Sequence, residues 1–394
     1  MKILLYSHAF APRLGGVETI VMALARGLSA ASASQRHEPM EVTVATPAPR
    51  GNFDDASLPF RVVRQPGFWG LLRLLRSADL VHLAGPALLP LFLALILRRP
   101  AVVEHHGYQA ICPNGLLLIE PTQTVCPGHF QARRYRKCWE CNRASEGPMK
   151  SLKMLLLTFP RRWMCGRLAR NISVTDHVRR RLQLPRPEVI YHGISIASPS
   201  SNSTLEPPPA PAPLCFGYVG RLVSEKGLPL VLESAKELDR RGYKFHLKLI
   251  GDGPERARLE ALTDSLNLRS RVAFTGYLQG EELQRALRDV QAVVMPSICE
   301  ETAGLAAMEQ MMKGKLVIVS DIGGLGEVVD RAGLKFPAGN VSALTSCLER
   351  VLNSPSLAGE IGLQARQRAL ALFSEGTMIE RHANLYEQVL RKQN

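Results

Sequence analysis

The chain alternates short apolar runs with longer stretches in which apolar residues recur every three or four positions. Residues 3–6 (Ile-Leu-Leu-Tyr) are apolar without a break, as a strand covered on both faces requires. Val17, Ile20, Val21, Leu24 and Leu28 then fall on one face of a helix. Further strand runs lie at 42–45, 80–83, 102–103, 172–174 and 189–191. Strands separated by helices predict parallel βαβ units. Residues 198–213, rich in Ser, Pro and Ala, have no periodicity, and proline offers no ladder donor, so they read as an interdomain linker. Beyond them the alternation restarts, with strands at 215–219, 246–250, 272–274, 291–295 and 316–319. Helices are expected at 228–238, 255–266 and 304–312, and helical character over 342–352 and 355–394. The pattern predicts an α/β protein of two Rossmann-like domains facing each other across a cleft. The expected boundaries are 1–197, a linker at 198–213, 214–375, and a C-terminal helix at 376–394 packing back toward the first domain.

Composition narrows the class. Of 394 residues, 46% are hydrophobic and 21% charged, which excludes a disordered or collagen-like chain. The formal charge of +14 is uneven: residues 1–200 hold 26 Lys/Arg and 12 Asp/Glu, so the second half is neutral. Residues 131–186 alone carry 15 basic and 3 acidic side chains. Such a bias predicts an anionic partner for the first half: nucleic acid, a membrane face or a phosphorylated substrate. Residues 80–97 are uncharged and long enough to suggest a membrane span, but His82, Gly85, Pro86 and Pro90 break them into a buried strand and a core helix. The first strand follows Met1-Lys2 at once, without the apolar region of a secretory signal, so a cytoplasmic location is expected.

Four constellations carry chemistry. Glu301 and Glu309 are eight positions apart, Glu301 in a loop after a strand and Glu309 inside the next helix. Gly304 lies at the helix start, where free backbone amides can face an anion. Arg221 and Lys226 directly follow the strand at 215–219, and their two cations suit a diphosphate. Gly15 and Gly16 precede the first helix and let backbone approach a ligand closely, without forming the G-x-G-x-x-G dinucleotide fingerprint. Gly323-Gly324 follows a later strand, with Glu327 beyond it.

In combination these resemble the retaining glycosyltransferases of the GT-B fold, family 4-like, a large group that includes bacterial capsule, lipopolysaccharide and exopolysaccharide transferases. The resemblance rests on Gly15-Gly16-Val17-Glu18, His106 in Val-Val-Glu-His-His-Gly-Tyr, His192-Gly193-Ile194, Gly220-Arg221 with Lys226-Gly227, Gly251-Asp252-Gly253, Pro296-Ser297, Glu301 to Glu309, and Gly323-Gly324 with Glu327. It implies that Arg221 and Lys226 hold the donor diphosphate and stabilise its departure, that Glu309 accepts hydrogen bonds from the ribose, and that Glu301 contacts the transferred sugar. Amides near Gly304 and Leu305 would face sugar or phosphate, His106 would contact the sugar from the other domain, and Gly15 and Gly16 would let the first loop close over the donor. The catalytic set is then Glu301, His106, Arg221 and Lys226. Three positions depart from the family pattern: Ala303 replaces an aromatic residue, Gln310 an alanine and His192 an asparagine. The first implies a reshaped sugar pocket.

No Asp-x-Asp sequence occurs, so a hexosyltransferase needing no catalytic cofactor is expected, with Arg221, Lys226 and a helix dipole balancing the leaving group. No nucleophile dyad is visible, which favours front-face transfer with retention. Two alternatives are a sugar-nucleotide epimerase of the same fold and a non-catalytic nucleotide-sugar-binding protein. The glutamate spacing argues against the former, and the intact Arg221, Lys226, Glu301 and Glu309 against the latter. Cys112, Cys126, Cys138 and Cys141 form a cluster within the basic stretch, with one C-x-x-C half; it is compatible with a structural zinc or with unliganded thiols. Basic residues beside Leu, Phe and Trp at 150–186 suit an anionic bilayer, while the stacking platforms of nucleic-acid binders are missing. The expected partners are a nucleotide-diphosphate sugar, a polyprenyl-diphosphate-linked or glycan acceptor and the inner face of the cell membrane, in cell-surface polysaccharide biosynthesis.

Overall fold

The computed structural model describes residues 1–12, 15–31, 39–195 and 213–392. The described residues form two compact units. One draws on Met1–Pro121, Cys126–Ser195 and Phe373–Asn394, the other on Thr122–Val125 and Ile196–Leu372. The segment expected as a linker, 198–213, lies outside the described residues except for Pro213.

The first unit is built on a seven-stranded sheet. Edge to edge its strands are Arg61–Arg64, Glu41–Thr46, Lys2–Ser7, Leu80–Ala84, Ala101–His105, Arg170–Ser173 and Pro187–Val189. Every pairing is parallel. The central strands are buried at almost every position, which is why they read as unbroken apolar runs. The stretch 80–97 resolves into the buried strand Leu80–Ala84 and the helix Leu88–Ile96, with Pro90 in the first turn, where its missing N–H costs no hydrogen bond. Among the described residues no helix is long and apolar enough to cross a membrane.

The edge strand Arg61–Arg64 has no counterpart in the apolar pattern, because it is four residues long with an arginine at each end. The stretch between Ala101–His105 and Arg170–Ser173 carries the cysteines and two helices, Tyr135–Glu146 and Pro148–Cys165. Their high charge and the prolines at 148 and 160 hide the helical period.

The C-terminal helix Glu375–Arg391 belongs to the first unit and packs on the helix Gly16–Ala31. Its buried residues Met378, His382, Leu385, Tyr386 and Val389 recur every three or four positions. The chain enters it beside residues 193–194: Ile194 N–H donates to the Phe373 carbonyl at 2.7 Å. A side chain at Gly193 would place its Cβ 2.6 Å from Glu375 Cα, so only glycine lets the two segments touch.

The second unit holds a six-stranded sheet in the order Val272–Gly276, Phe245–Ile250, Leu214–Val219, Val290–Met295, Leu316–Ser320 and Leu334–Phe336, again all parallel. Leu214–Val219 and Val290–Met295 are neighbours although two strands intervene in sequence. That is a topological switch point, where loops leaving the carboxyl ends of the strands diverge and open a crevice.

Candidate active site

Two loops leave that switch point in the second unit, one after Val219 and one after Met295. The first is shaped by close backbone approaches. A Cβ at Gly251 would lie 1.9 Å from the Gly220 carbonyl oxygen, and Leu222 N–H donates to the Asp252 carbonyl at 2.9 Å. Ser224–Lys226 makes a single 3-10 turn, closed by Gly227 at φ +63°, and a Cβ there would meet the Pro296 carbonyl at 2.2 Å. Ile298 N–H donates to the Glu225 carbonyl at 3.0 Å, so the two loops are stitched together.

This stitching sets Lys226 Nζ 2.9 Å from Glu301 Oε1, with side chains 22% and 15% exposed. The Ser297 hydroxyl donates to the same carboxylate oxygen. The Glu301 carbonyl accepts from Gly324 N–H at 2.7 Å, which ties the Gly323-Gly324 turn to the site. Burial works against both charges, but each partner outweighs it for the other. Lys226 is held above its ordinary pKa by the carboxylate, and Glu301 below its own by the ammonium and Ser297. The result is a preformed ion pair at the crevice.

The other expected donor residues lie around it. Arg221 is 76% exposed and loosely paired with Glu225 at 3.8 Å, yet near enough to lower Glu301. Gly304, in a left-handed conformation, caps the helix Leu305–Met312 with no side chain bonded to its first amides. Glu309 sits within that helix apart from the ion pair; burial raises its pKa, and Lys313 is the cation that offsets part of this rise. Gln310, on the same helix, is fully buried, and neither amide atom has a hydrogen-bond partner.

His106, Gly15 and Gly16 belong to the first unit. His106 is part of a buried cluster that the motifs did not announce. Its Nδ1 lies 3.0 Å from His192 Nε2, and its Nε2 lies 3.6 Å from Glu104 Oε2. His82 and His382 approach the same carboxylate, and His82 Nδ1 is 2.7 Å from the Tyr386 hydroxyl. Burial outweighs the carboxylate and lowers His192 to about 3 and His382 to about 4, whereas Glu104, despite its own burial, is held well below the ordinary carboxylate range by the surrounding rings. Residue parity offered one sign of this: Val102, Glu104 and His106 alternate onto one side of their strand. Nothing local in the sequence marks His82, His382 or Tyr386 as members.

The four clustered cysteines all lie in the first unit as free thiols. Cys138 packs with Phe130 and Leu155, and Cys141 points its thiol at the Leu118 carbonyl. Burial raises Cys112 to about 11 and Cys138 to about 12, and neighbouring cysteines add to the rise. Among the described residues, two groups of three side chains bring metal-ligating atoms within 4.8 Å of one another: His82, Glu104 and His382, and Glu104, His106 and His192. Neither includes a cysteine.

The two units match two complementary family models. Residues 14–198 match Glycosyltransferase Family 4, and residues 207–368 match Glycosyl transferases group 1. Together the two models span most of the chain, and its fold of two Rossmann-like domains is that of the GT-B glycosyltransferases. A 2-deoxystreptamine N-acetyl-D-glucosaminyltransferase of Streptomyces fradiae is 29% identical over 401 residues, covering 91% of this chain and 90% of that protein. Alpha-D-kanosaminyltransferase of Streptomyces kanamyceticus is 28% identical over 224 residues, 54% of this chain and only 58% of the relative's own length. The structure of Anabaena Alr3699/HepE in complex with UDP-glucose superposes with a TM-score of 0.70 at 18% identity, covering 98% of this chain and 100% of that one, and so shares the fold. Within this fold the loops of the switch point, with their ion pair, present cations to an anionic ligand.

Proposed function

We propose that the protein is a retaining hexosyltransferase that uses a nucleotide-diphosphate sugar and glycosylates a polyprenyl-diphosphate-linked or glycan acceptor at the inner face of the cell membrane. The observation that carries this reading is the Lys226–Glu301 pair at the switch point, beside the uncapped start of the helix Leu305–Met312.

The chemistry follows from the charges. When the glycosidic bond breaks, negative charge grows on the leaving diphosphate. Lys226 stays protonated because Glu301 holds its pKa up, so it can meet that charge without taking up a proton first. Exposed Arg221 can swing onto the same oxygens, and the helix amides add a fixed dipole. Glu301, kept ionised, accepts hydrogen bonds from sugar hydroxyls, and Glu309 serves the ribose. His106 is assigned to the transferred sugar. The acceptor hydroxyl gives its proton to the departing phosphate on the same face, which preserves the anomeric configuration.

The membrane assignment is supported by the helix Pro148–Cys165. It exposes Met149, Leu152, Leu156, Phe159 and Trp163 along one stripe, with Lys150 and Lys153 beside them. A second reading takes the acceptor to be a small soluble compound, as in the name of the relative that matches 91% of the chain.

The decisive experiment is slow donor hydrolysis across a panel of nucleotide sugars, followed by product NMR. Release of nucleotide diphosphate that vanishes in Lys226→Ala supports the donor site, and an inverted anomer in the product would overturn retention. Transfer to 2-deoxystreptamine but to no lipid-linked acceptor would select the second reading.

A further inference from the structure

The buried histidines around Glu104 present a problem that hydrogen bonding does not solve. His82 comes from the strand Leu80–Ala84, Glu104 from Ala101–His105 and His382 from the C-terminal helix Glu375–Arg391. All three are at most 1% exposed. His82 Nε2 and His382 Nε2 lie 3.3 and 3.8 Å from Glu104 Oε2. Yet His82 Nε2, His382 Nε2 and Glu104 Oε1 have no hydrogen-bond partner. Buried polar atoms without a partner carry a large desolvation cost.

The outer ring nitrogens decide what faces inward. His382 Nδ1 lies 2.8 Å from the Met378 carbonyl, which can only accept, so Nδ1 carries the proton. The Nε2 of the neutral ring then directs a lone pair at a carboxylate. His82 Nδ1 lies 2.7 Å from the Tyr386 hydroxyl, which can accept from the ring or donate to it; accepting, it leaves His82 Nε2 bare as well. The His382 lone pair then faces the Glu104 carboxylate across 3.8 Å, a repulsive approach that a cation between them would relieve. An outer N–H tied to a carbonyl or hydroxyl and an inner nitrogen left bare is the arrangement of metal-bound histidine.

We infer that the first unit binds one divalent transition-metal ion of the zinc type between His82 Nε2, His382 Nε2 and the Glu104 carboxylate. The N,N,O donor set suits zinc, and the 3.3 and 3.8 Å separations are close to the roughly 3.3 Å expected between ligand atoms about 2.0–2.1 Å from a tetrahedral ion. The other group on Glu104 is less suited, because His106 Nδ1 and His192 Nε2 are within hydrogen-bond distance of each other. The site is enclosed, so the ion acts as a clamp joining the C-terminal helix to two sheet strands.

The test uses the full chain, stripped with a chelator and reloaded with Co2+ or Zn2+. One Co2+ per chain should remain bound in the Cys138→Ser/Cys141→Ser variant, with visible absorption and no thiolate charge-transfer band. It should be lost in His382→Gln, and chelation of the wild type should lower its melting midpoint, which Zn2+ restores. Crystals of the Zn2+-loaded wild type should give an anomalous peak among the three side chains, a readout that needs no variant to fold. No bound metal in the wild type, metal lost completely in the cysteine variant, or an anomalous peak elsewhere would overturn the inference; a His382 imidazolium paired with Glu104 would give the first of these results.

Discussion

At the scale of single residues, the Lys226–Glu301 pair fixes a pH window. The folded-state pKa of Glu301 lies below its ordinary 4.5, so its share of stability is present above that value and is lost as pH falls through the lower folded one. The pKa of Lys226 lies above its ordinary 10.5, so its share is complete below that value and is lost as pH rises through the higher folded one. Glu301→Gln should therefore cost about 1–3 kcal/mol near neutrality, with the gap to the wild type closing in acid. Urea titrations at several pH values measure this. Gln310 makes the opposite case. Its amide is buried without partners in a position where an apolar side chain of similar length would fit, and Gln310→Met should stabilise the second unit by about 1 kcal/mol, read as a raised denaturation midpoint.

At the scale of elements, legibility followed burial and sequence distance. The runs at 3–6 and 80–83 were readable because both faces of their strands are covered, so no polar alternation interrupts them. Arg61–Arg64 and Leu334–Phe336 were not, since short edge strands carry little apolar pattern. Lys226 and Glu301 could be placed at one crevice from the sequence because each lies in a loop after a strand of one sheet. The Glu104 cluster was not, because it unites positions 82, 104 and 382, whose proximity is created by the fold alone. The same cluster makes the C-terminal helix part of the first unit's core. Tyr386→Phe removes the partner of His82 Nδ1 and should cost about 1–3 kcal/mol, unfolding the first unit at a lower temperature in calorimetry while the second is unchanged.

At the scale of the whole molecule, the +14 charge belongs to the half of the chain that does not hold the Lys226 and Glu301 loops. Under the proposed function Lys226 and Arg221 suffice for a diphosphate, and the excess charge is assigned, with the exposed apolar stripe of Pro148–Cys165, to the proposed membrane contact. Each basic side chain near an anionic surface contributes about 1 kcal/mol, screened by salt, while the apolar insertion is not screened. Binding to phosphatidylglycerol vesicles should thus fall steeply as salt is raised. Trp163→Ser should weaken it at every salt concentration. Sedimentation with vesicles checks both, and failure of the wild type to bind at low salt would remove the membrane assignment.

The return of the chain to the first unit at Phe373 also governs how the molecule is made. A ribosome delivers residues 1–195 before the second unit, but their core lacks Met378, His382, Leu385 and Tyr386 until the helix Glu375–Arg391 has emerged from the exit tunnel. The second unit, synthesised later, has all its own strands and helices available by Leu372 and can close first. The first unit is therefore completed after the second. During that interval the side of the helix Gly16–Ala31 that meets the C-terminal helix stays uncovered.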